Sequence, residues 1–199
     1  MESDLLGEIQ VPKDAYYGVQ TLRGLYNYNI TGVRLSSYRN FIKAFGMIKK
    51  ACIMANGRLG LIKPEIVEAV KQACDEVIEG KLDKEFVVDM IQGGAGTSTN
   101  MNANEVIANR ALEIMGKEKG DYTIVSPNDH INKCQSTNDT YPSSGKLGMY
   151  LDHFELVAEL EKLIDAFEAK AEEFKDVLKM GRTQLQDAVP MTLGQEFHG

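Results

Sequence analysis

Three stretches of the sequence combine hydroxyl and amide side chains at high density. They are Gly93–Asn102, Ser126–Pro142 and Gly181–Thr192. Side chains of Ser, Thr, Asn and Gln, together with backbone N–H groups at helix ends, are the donors that hold carboxylate oxygens in proteins. These three stretches are therefore suited to binding a small carboxylate ligand.

The glycine-rich start of the first stretch does not match a nucleotide-binding motif. No lysine follows the last glycine, as a phosphate loop would require. The glycine spacing also differs from a dinucleotide-binding loop, and the segment before it is predicted to be helical. Taken alone, Gly93, Gly94 and Gly96 indicate only a tight connection.

Other residues in these stretches could carry chemistry, but each has a structural alternative. His130 could act as an acid or base, although a single histidine more often makes structural hydrogen bonds. Asp129 and Asp187 could pair as carboxylates, but their spacing does not show it. Residues 136–138, Ser-Thr-Asn, could form a binding loop or only a turn. Cys134 is predicted to be a small buried residue rather than a reactive thiol.

The segments between these stretches have helical periodicity, which predicts the elements that position them. Helices are predicted from a cap at Ser36 or Ser37 to an end at Gly57 and Gly60, from Pro64 to Gly80, from Lys84 to Met90, and from Ala103 to Met115. The buried stripe of the first is predicted to be Phe41, Ala44, Phe45, Ile48 and Ala51. Residues 1–35 show no sustained period and are predicted to form turns and short extended pieces.

From about Ser143, apolar residues advance in steps of three and four as far as Leu178. This pattern predicts one very long helix, ended by Gly181, with a spacing close to the coiled-coil repeat. Such a helix needs long partners, so we expect an oligomeric helical bundle. Thr192 and Gln195 fit a capping box that begins a further helix, and the sequence stops four residues later. We therefore expect the natural chain to continue beyond Gly199.

The predicted fold class is mainly α, with two domains. Residues 1–142 are expected to form a small, mixed, mostly helical N-terminal domain. Residues 143–199 are expected to form the first part of a long-helix bundle domain. This division follows the change from short, interrupted helices to a single uninterrupted one.

Charge and composition exclude several functional classes. The 199 residues contain 22 Lys and Arg against 29 Asp and Glu, and no basic stripe of the kind that binds nucleic acid. An anionic substrate would therefore need local positive groups or N–H donors. Three widely spaced cysteines give no support to a zinc site or a disulfide framework. The sequence shows no signal peptide and no membrane span, so a cytoplasmic location is expected.

Taken together and in order, these stretches resemble the signature motifs of the aspartase/fumarase superfamily. Gln92–Glu105 is similar to the first signature, Ser126–Asp139 to its continuation, and Gly181–Pro190 to the second signature. Asp14–Thr21 is similar to the N-terminal segment of the family. The resemblance covers the whole chain, and several long motifs in the right order make it specific.

Within the superfamily, the motif sequences are most similar to those of the aspartases. Lys133–Asp139 is similar to the aspartase version, whereas class II fumarases usually have two serines at Ser136 and Thr137. Gln184 and Ser126 lie where fumarases typically carry histidines, and aspartases can have either residue at the first position. The resemblance implies reversible deamination of L-aspartate to fumarate and ammonia. The alternatives are a class II fumarate hydratase and a non-catalytic helical oligomerisation module.

The resemblance also implies a mechanism and a set of site residues. Removing the C–H proton beside the β-carboxylate makes a doubly charged aci-carboxylate, which needs preorganised donors. The resemblance assigns these donors to Thr97, Ser136 and Thr137, with help from Ser98. It assigns contact with the leaving amino group to Asn138 and Gln184, and contact with the α-carboxylate to Thr183.

In the family, the general base is a serine on a mobile loop that also brings a lysine. Residues 1–199 contain no such loop, of the form Gly-Ser-Ser-x-Met-Pro-x-Lys-x-Asn-Pro. The complete site in the family is built from three subunits of a homotetramer, so this chain alone is expected to turn over little or no substrate. No cofactor and no metal ligand are predicted, although the resemblance allows a divalent cation such as Mg²⁺ as an activator.

Overall fold

The computed structural model describes residues 1–92 and 96–199, and Gly93 and Gly94 of the glycine-rich stretch lie outside the described residues. Most of the described chain is helical, with a few short strands, which confirms the predicted mainly α class. The chain separates into two compact units, Met1–Leu151 and Asp152–Gly199. The division into domains at residue 142 stays a prediction.

The first unit consists of a hairpin and a set of helices around one apolar core. Its elements in chain order are β1 (Glu2–Asp4), β2 (Gly7–Ile9), α1 (Val19–Asn27), α2 (Arg39–Arg58), α3 (Pro64–Glu79), α4 (Thr97–Ile114) and the start of α5 (Thr137–Glu173). Strand β1 pairs with β2 in antiparallel register. Helices α2, α3 and α4 supply most of the buried apolar side chains.

Helix α1 was not predicted, because its local sequence is a weak helix former. A distant carboxylate holds its first turn instead. Glu105 accepts hydrogen bonds from the backbone N–H groups of Gly18, Gln20 and Thr21 at 2.8–3.0 Å. These are N–H groups that a helix start leaves without intrahelical partners. Tertiary structure therefore decides that this segment is helical.

Helix α2 confirms the predicted element but not its cap or its buried stripe. It begins at Arg39, and its capping position is Tyr38, which makes no side-chain capping bond. Ser36 lies in a 3₁₀ turn, where its N–H donates to the Phe86 carbonyl. The buried positions of the helix are Ile42, Ala44, Phe45, Gly46, Lys49, Ile53 and Asn56, whereas Ile48 is half-buried and Ala51 is exposed.

Helix α3 begins at Pro64 and ends before Gly80, which has a φ of 88°, so both predicted ends are confirmed. The helix predicted from Lys84 to Met90 is wrong. After a 3₁₀ turn at Asp83–Glu85, the chain is extended and the Val88 carbonyl accepts from the Leu35 N–H. Four successive residues, 86–89, are buried, so burial on both faces favours an extended segment over an amphipathic helix.

Helix α4 begins at Thr97 rather than near Ala103, and it is buried on nearly every side. Residues 102–109 are all buried, including three asparagines and Glu105. The asparagines have partners: Asn102, for example, accepts from the Val87 N–H and donates to the Glu85 carbonyl. An apolar periodicity could not reveal this start, because its buried positions are largely polar.

Helix α5 confirms the predicted long helix, although it begins at Thr137 and ends at Glu173. Its buried positions are the small residues Thr140, Ser144 and Gly148. A Cβ atom at Gly148 would lie 3.1 Å from the Phe41 Cα, so the two backbones approach closely there. Small residues at intervals of four therefore let the start of α5 pack against α2.

The second unit contains a hairpin and a short helix that follow α5. They are β3 (Leu178–Thr183), β4 (Gln186–Thr192) and α6 (Leu193–His198). Gly181 lies within β3, so the prediction that Gly181 ends the long helix is wrong. The capping box at Thr192 and Gln195 is confirmed, with bonds of 2.9 and 3.1 Å.

Across residues 1–92 and 96–199, no helix is long and apolar enough to cross a membrane.

Candidate active site

The first unit brings together two helix N-termini that carry predicted site residues. Helix α4 begins with Thr97 and Ser98, and α5 begins with Thr137 and Asn138. The first N–H groups of a helix have no partners inside the helix, and the helix dipole favours an anion there. Each start therefore combines backbone N–H groups with hydroxyl or amide side chains, which suits a carboxylate ligand.

Gly96 and Gln92 define where α4 starts. Gly96 has a φ of 82°, and a Cβ atom there would overlap the Tyr141 ring, so the position requires glycine. The Gln92 amide oxygen accepts from the Thr99 N–H at 2.9 Å, and its amide N–H donates to the Thr99 hydroxyl. Gln92 thus satisfies a donor of the first turn and leaves Thr97 exposed at the helix end.

Asn100 joins the two helix starts by side-chain hydrogen bonds. From α4, its Nδ2 donates to the Thr137 Oγ1 at 3.2 Å and to the Asn132 Oδ1 at 3.0 Å. Its Oδ1 accepts from the Thr140 hydroxyl at 3.1 Å. Asn100 is 1% exposed, so these bonds are shielded from water. Asn100 therefore links the start of α4 to the start of α5 through one buried amide.

Residues 136–138 lie at the start of α5, with Ser136 just before the helix and Thr137 as its first residue. Whether they bind a ligand stays a prediction. The Ser136 carbonyl accepts from the N–H groups of Asp139 and Thr140, and the Ser136 N–H donates to the Asp139 Oδ2 at 3.2 Å. Ser136 and Asn138 are exposed and Thr137 is half-buried. Pro142 has no N–H, so it cannot donate to the Asn138 carbonyl as a helical residue would.

A cavity of about 830 Å³ adjoins the start of α4. Thr97, Ser126 and Glu105 are among its lining residues. Ser126 caps a π-helical turn at Pro127–Ile131, where its hydroxyl donates to the Asp129 Oδ2 at 3.0 Å. Thr97 is the predicted site residue that contributes to this cavity.

His130 and Cys134 follow in the same connection. The Ser126 N–H donates to the His130 Nδ1 at 2.8 Å, which supports the structural alternative for this histidine. Burial lowers the pKa of His130, which favours the neutral form of the ring. Cys134 is exposed and has a φ of 59°, so the prediction that it is buried is wrong. Its position in a tight turn, rather than its side chain, decides this exposure.

Glu105 is the buried carboxylate that sequence reasoning left without a role. It is 1% exposed, and its oxygens accept the α1 N–H groups and the Thr21 hydroxyl at 2.6 Å. Burial raises the pKa of Glu105, although these donors oppose the rise. Because its oxygens are occupied, Glu105 holds α1 beside the site rather than acting as a free base.

Thr183 and Gln184 lie in the second unit, at the turn of the β3–β4 hairpin. Gln184 and Leu185 have φ values of 53° and 63°, and both predicted site residues are exposed. Within its own unit, Asp187 accepts from the Arg182 Nε at 3.1 Å, and Asp129 accepts from the Ser126 hydroxyl at 3.0 Å. The hairpin therefore presents Thr183 and Gln184 on an exposed, narrow turn.

Lys49 is the positive group that sequence reasoning missed. Its side chain is 1% exposed, and Nζ donates to the Asn132 Oδ1 at 3.1 Å and to the Gln135 Oε1 at 2.9 Å. Burial lowers the pKa of Lys49 to about 7. The signal was present, because Lys49 and Asn56 continue the helical spacing of Ile42, Phe45 and Ile53.

Within the described ranges, no three side chains of His, Cys, Asp and Glu come together as metal ligands. Activation by a divalent cation stays a prediction.

The comparison with known families matches a family described as lyase over residues 7–199. The chain belongs to this lyase family. The match includes all three stretches and every predicted site residue, so it confirms the family resemblance found in the sequence.

Curated members of the lyase family are similar along the whole chain. The chain is 58% identical over 198 residues to the aspartate ammonia-lyase of Pseudomonas aeruginosa, covering 100% of this chain and 42% of that protein. It is 54% identical over 198 residues to the aspartate ammonia-lyase of Escherichia coli, covering 99% and 41%. The chain thus spans about two fifths of the length of these relatives.

Solved structures of the lyase family share the fold. A fumarate lyase:delta crystallin from Brucella melitensis matches with a TM-score of 0.91 and 52% identity, covering 99% of this chain and 44% of that chain. A class II fumarase from Schistosoma mansoni matches with a TM-score of 0.85 and 39% identity, covering 98% and 41%. The fold of residues 1–199 is therefore similar to that of the corresponding parts of these two proteins.

Proposed function

We propose that the whole protein that carries this chain is an ammonia-lyase converting L-aspartate reversibly to fumarate and ammonia. The observation that carries this proposal is the pair of helix starts, at Thr97 and Thr137, bridged by Asn100. The similarity to two aspartate ammonia-lyases, at 58% and 54% identity, supports the choice of aspartate.

The reaction requires stabilisation of charge that develops on the β-carboxylate. Loss of the adjacent C–H proton makes an aci-carboxylate with two negative charges, and donors placed in advance lower the barrier. Thr97, Ser136 and Thr137 are the donors in this proposal. Their hydroxyl groups lie at helix starts, where N–H groups and the helix dipole add to the stabilisation.

The remaining site residues orient the substrate in this proposal. Ser98 assists the carboxylate donors, and Thr183 contacts the α-carboxylate. Asn138 and Gln184 hold the amino group that leaves. Gln184 is not the base, because an amide does not titrate in the useful range. A serine loop outside residues 1–199 supplies the base, so the chain alone turns over little or no aspartate.

The proposed protein is a cytoplasmic homotetramer. The second half of α5 supports the assembly, because its large apolar side chains are exposed. They include Val157, Leu160, Leu163, Ile164 and Phe167. A continuous apolar stripe on a long helix is typical of a bundle interface between chains.

The test is to follow fumarate formation from L-aspartate and, separately, from L-malate with the complete protein. We expect fumarate and ammonia from aspartate and no fumarate from malate. Formation from malate alone would identify a hydratase and reject the amino-group role of Gln184. No fumarate formation from either substrate would favour a non-catalytic assembly module. Residues 1–199 expressed alone serve as the matched control, and ordinary activity of that chain would reject the missing-base argument.

A further inference from the structure

Lys49 reaches the start of α5 through a series of buried hydrogen bonds. From α2, its Nζ donates to the side chains of Asn132 and Gln135, in the connection just before Ser136. No carboxylate within residues 1–92 and 96–199 forms an ion pair with Lys49. Burying a lysine that is held only by amide oxygens costs desolvation free energy.

A lysine amine fixes the orientation of the amides around it. An ammonium group only donates, so Asn132 and Gln135 must turn their oxygens toward Nζ. Their nitrogens then point away: the Asn132 Nδ2 donates to the Gln135 carbonyl at 3.2 Å, and the Gln135 Nε2 donates to the Ile131 carbonyl at 2.8 Å. Burial lowers the pKa of Lys49 to about 7, but the neutral amine still has two N–H groups for two oxygens.

The orientation of Asn132 in turn fixes which atoms donate and which accept between Asn132, Asn100 and Thr137. Because the Asn132 Oδ1 is an acceptor, Asn100 must face it with Nδ2. The Asn100 Nδ2 then also faces the Thr137 Oγ1 at 3.2 Å, and the Thr137 oxygen accepts. A hydroxyl group has one proton, and an oxygen that accepts from Asn100 keeps that proton for another acceptor.

We propose that Lys49 is a positioning residue whose N–H donors to Asn132 and Gln135 set the direction of the Asn132–Asn100–Thr137 network, so that the Thr137 hydroxyl presents its proton to the substrate β-carboxylate. The part concerning the carboxylate rests on the proposed function. The network itself is a property of the first unit. Lys49 touches no substrate and acts through Thr137.

A double-mutant cycle in the complete protein tests this role. Lys49→Met, with a similar length and no donor, is expected to lower kcat about tenfold or more in an otherwise unchanged enzyme, with a smaller change in KM. In a Thr137→Val background, the same change is expected to lower kcat less than about threefold, because residues of one network are not additive. Equal losses in both backgrounds, or an unchanged kcat for Lys49→Met alone, would overturn the proposal.

Lys50→Met is the matched control. It removes the neighbouring lysine, which pairs with Asp75 at 2.5 Å and does not contact Asn132 or Gln135. We expect kcat to stay within about twofold. If Lys49→Met is too unstable to purify, Lys49→Gln replaces it in the cycle. A glutamine amide can present either an oxygen or an N–H to Asn132, so the direction of the network is no longer set.

A readout without turnover separates this inference from the proposed function. In a crystal structure of the Lys49 variant, Asn132 or Asn100 is expected to exchange hydrogen-bond partners. Unchanged partners for both would overturn the positioning role, even in an active enzyme. If the unmodified protein forms no fumarate from aspartate, the proposed function fails, while this structural comparison still decides whether Lys49 directs the network.

Discussion

Helices α4 and α5 begin alike and continue differently. Each starts with a threonine, followed by small hydroxyl or amide residues. Beyond that start, α4 is buried on nearly every side, whereas α5 exposes large apolar side chains along its second half. Hydroxyl and amide side chains therefore begin both helices. Helix α4 is packed within its own chain, whereas α5 has an exposed apolar surface that suits a partner chain.

The difference shows how the two starts are positioned. The start of α4 depends on a packed core in which Ile107 is 0% exposed. The start of α5 depends on the bond from Asn100 and on the close approach permitted by Gly148. Changes in the core should therefore disturb folding, whereas changes on the second half of α5 should disturb assembly.

The largest expected difference is in the free energy of unfolding, between the variants Ile107→Glu and Ile164→Glu. A carboxylate at Ile107 is buried without a partner and should destabilise the protein by about 4 kcal/mol or more. Ile164 is 55% exposed and lies outside the first unit. The same substitution there should therefore lower the free energy of unfolding of the first unit by about 0.5 kcal/mol or less. Thermal unfolding and sedimentation velocity measure the two effects, and we expect Ile164→Glu to shift the protein toward smaller species.

Lys162→Glu is the control for that experiment, because it changes the charge of α5 at an exposed position paired with Glu159. We expect it to leave the assembly unchanged. If Ile164→Glu sediments like the unmodified protein, the exposed stripe of α5 is not an interface.

The next effect concerns turnover at the two helix starts. Thr97→Val and Thr137→Val each remove one donor while keeping the shape of the side chain, and each should lower kcat by about 10²–10³-fold. Steady-state kinetics with L-aspartate measures the loss. Thr123→Val is the control, since that exposed hydroxyl donates to Asp121. A large loss in only one of the two helix-start variants would show that the starts are not equivalent.

The smallest effect tests how the start of α4 is defined. Gly60→Ala places a side chain at a φ of 71° in open space, and it should cost about 1 kcal/mol. Gly96→Ala imposes similar backbone strain and also a collision with the Tyr141 ring, which should add about 1 kcal/mol or more. Urea unfolding compares them. Equal costs would mean that Tyr141 moves aside easily and does not define the site.

Local sequence patterns correctly predicted those elements whose ends are set by residues within or next to the element itself. Pro64 and Gly80 bound α3, and Thr192 and Gln195 form their capping box, because these effects act within one helical turn. Helix α1 and the hairpin of residues 178–192 were missed. The first depends on Glu105, and the second depends on strand pairing, neither of which is visible in a helical period.

For the site, the sequence by itself determined the chemistry of the three stretches and, through their order, the family. Only the tertiary structure decided which side chains meet. Lys49 and Asn132 are 83 residues apart, and Asn100 and Thr137 are 37 apart, so no local spacing links them. The physical reason is that a side-chain N–H or O–H group takes a fixed orientation only when its acceptor is held in place. Packing of α2, α4 and α5 holds these acceptors in place.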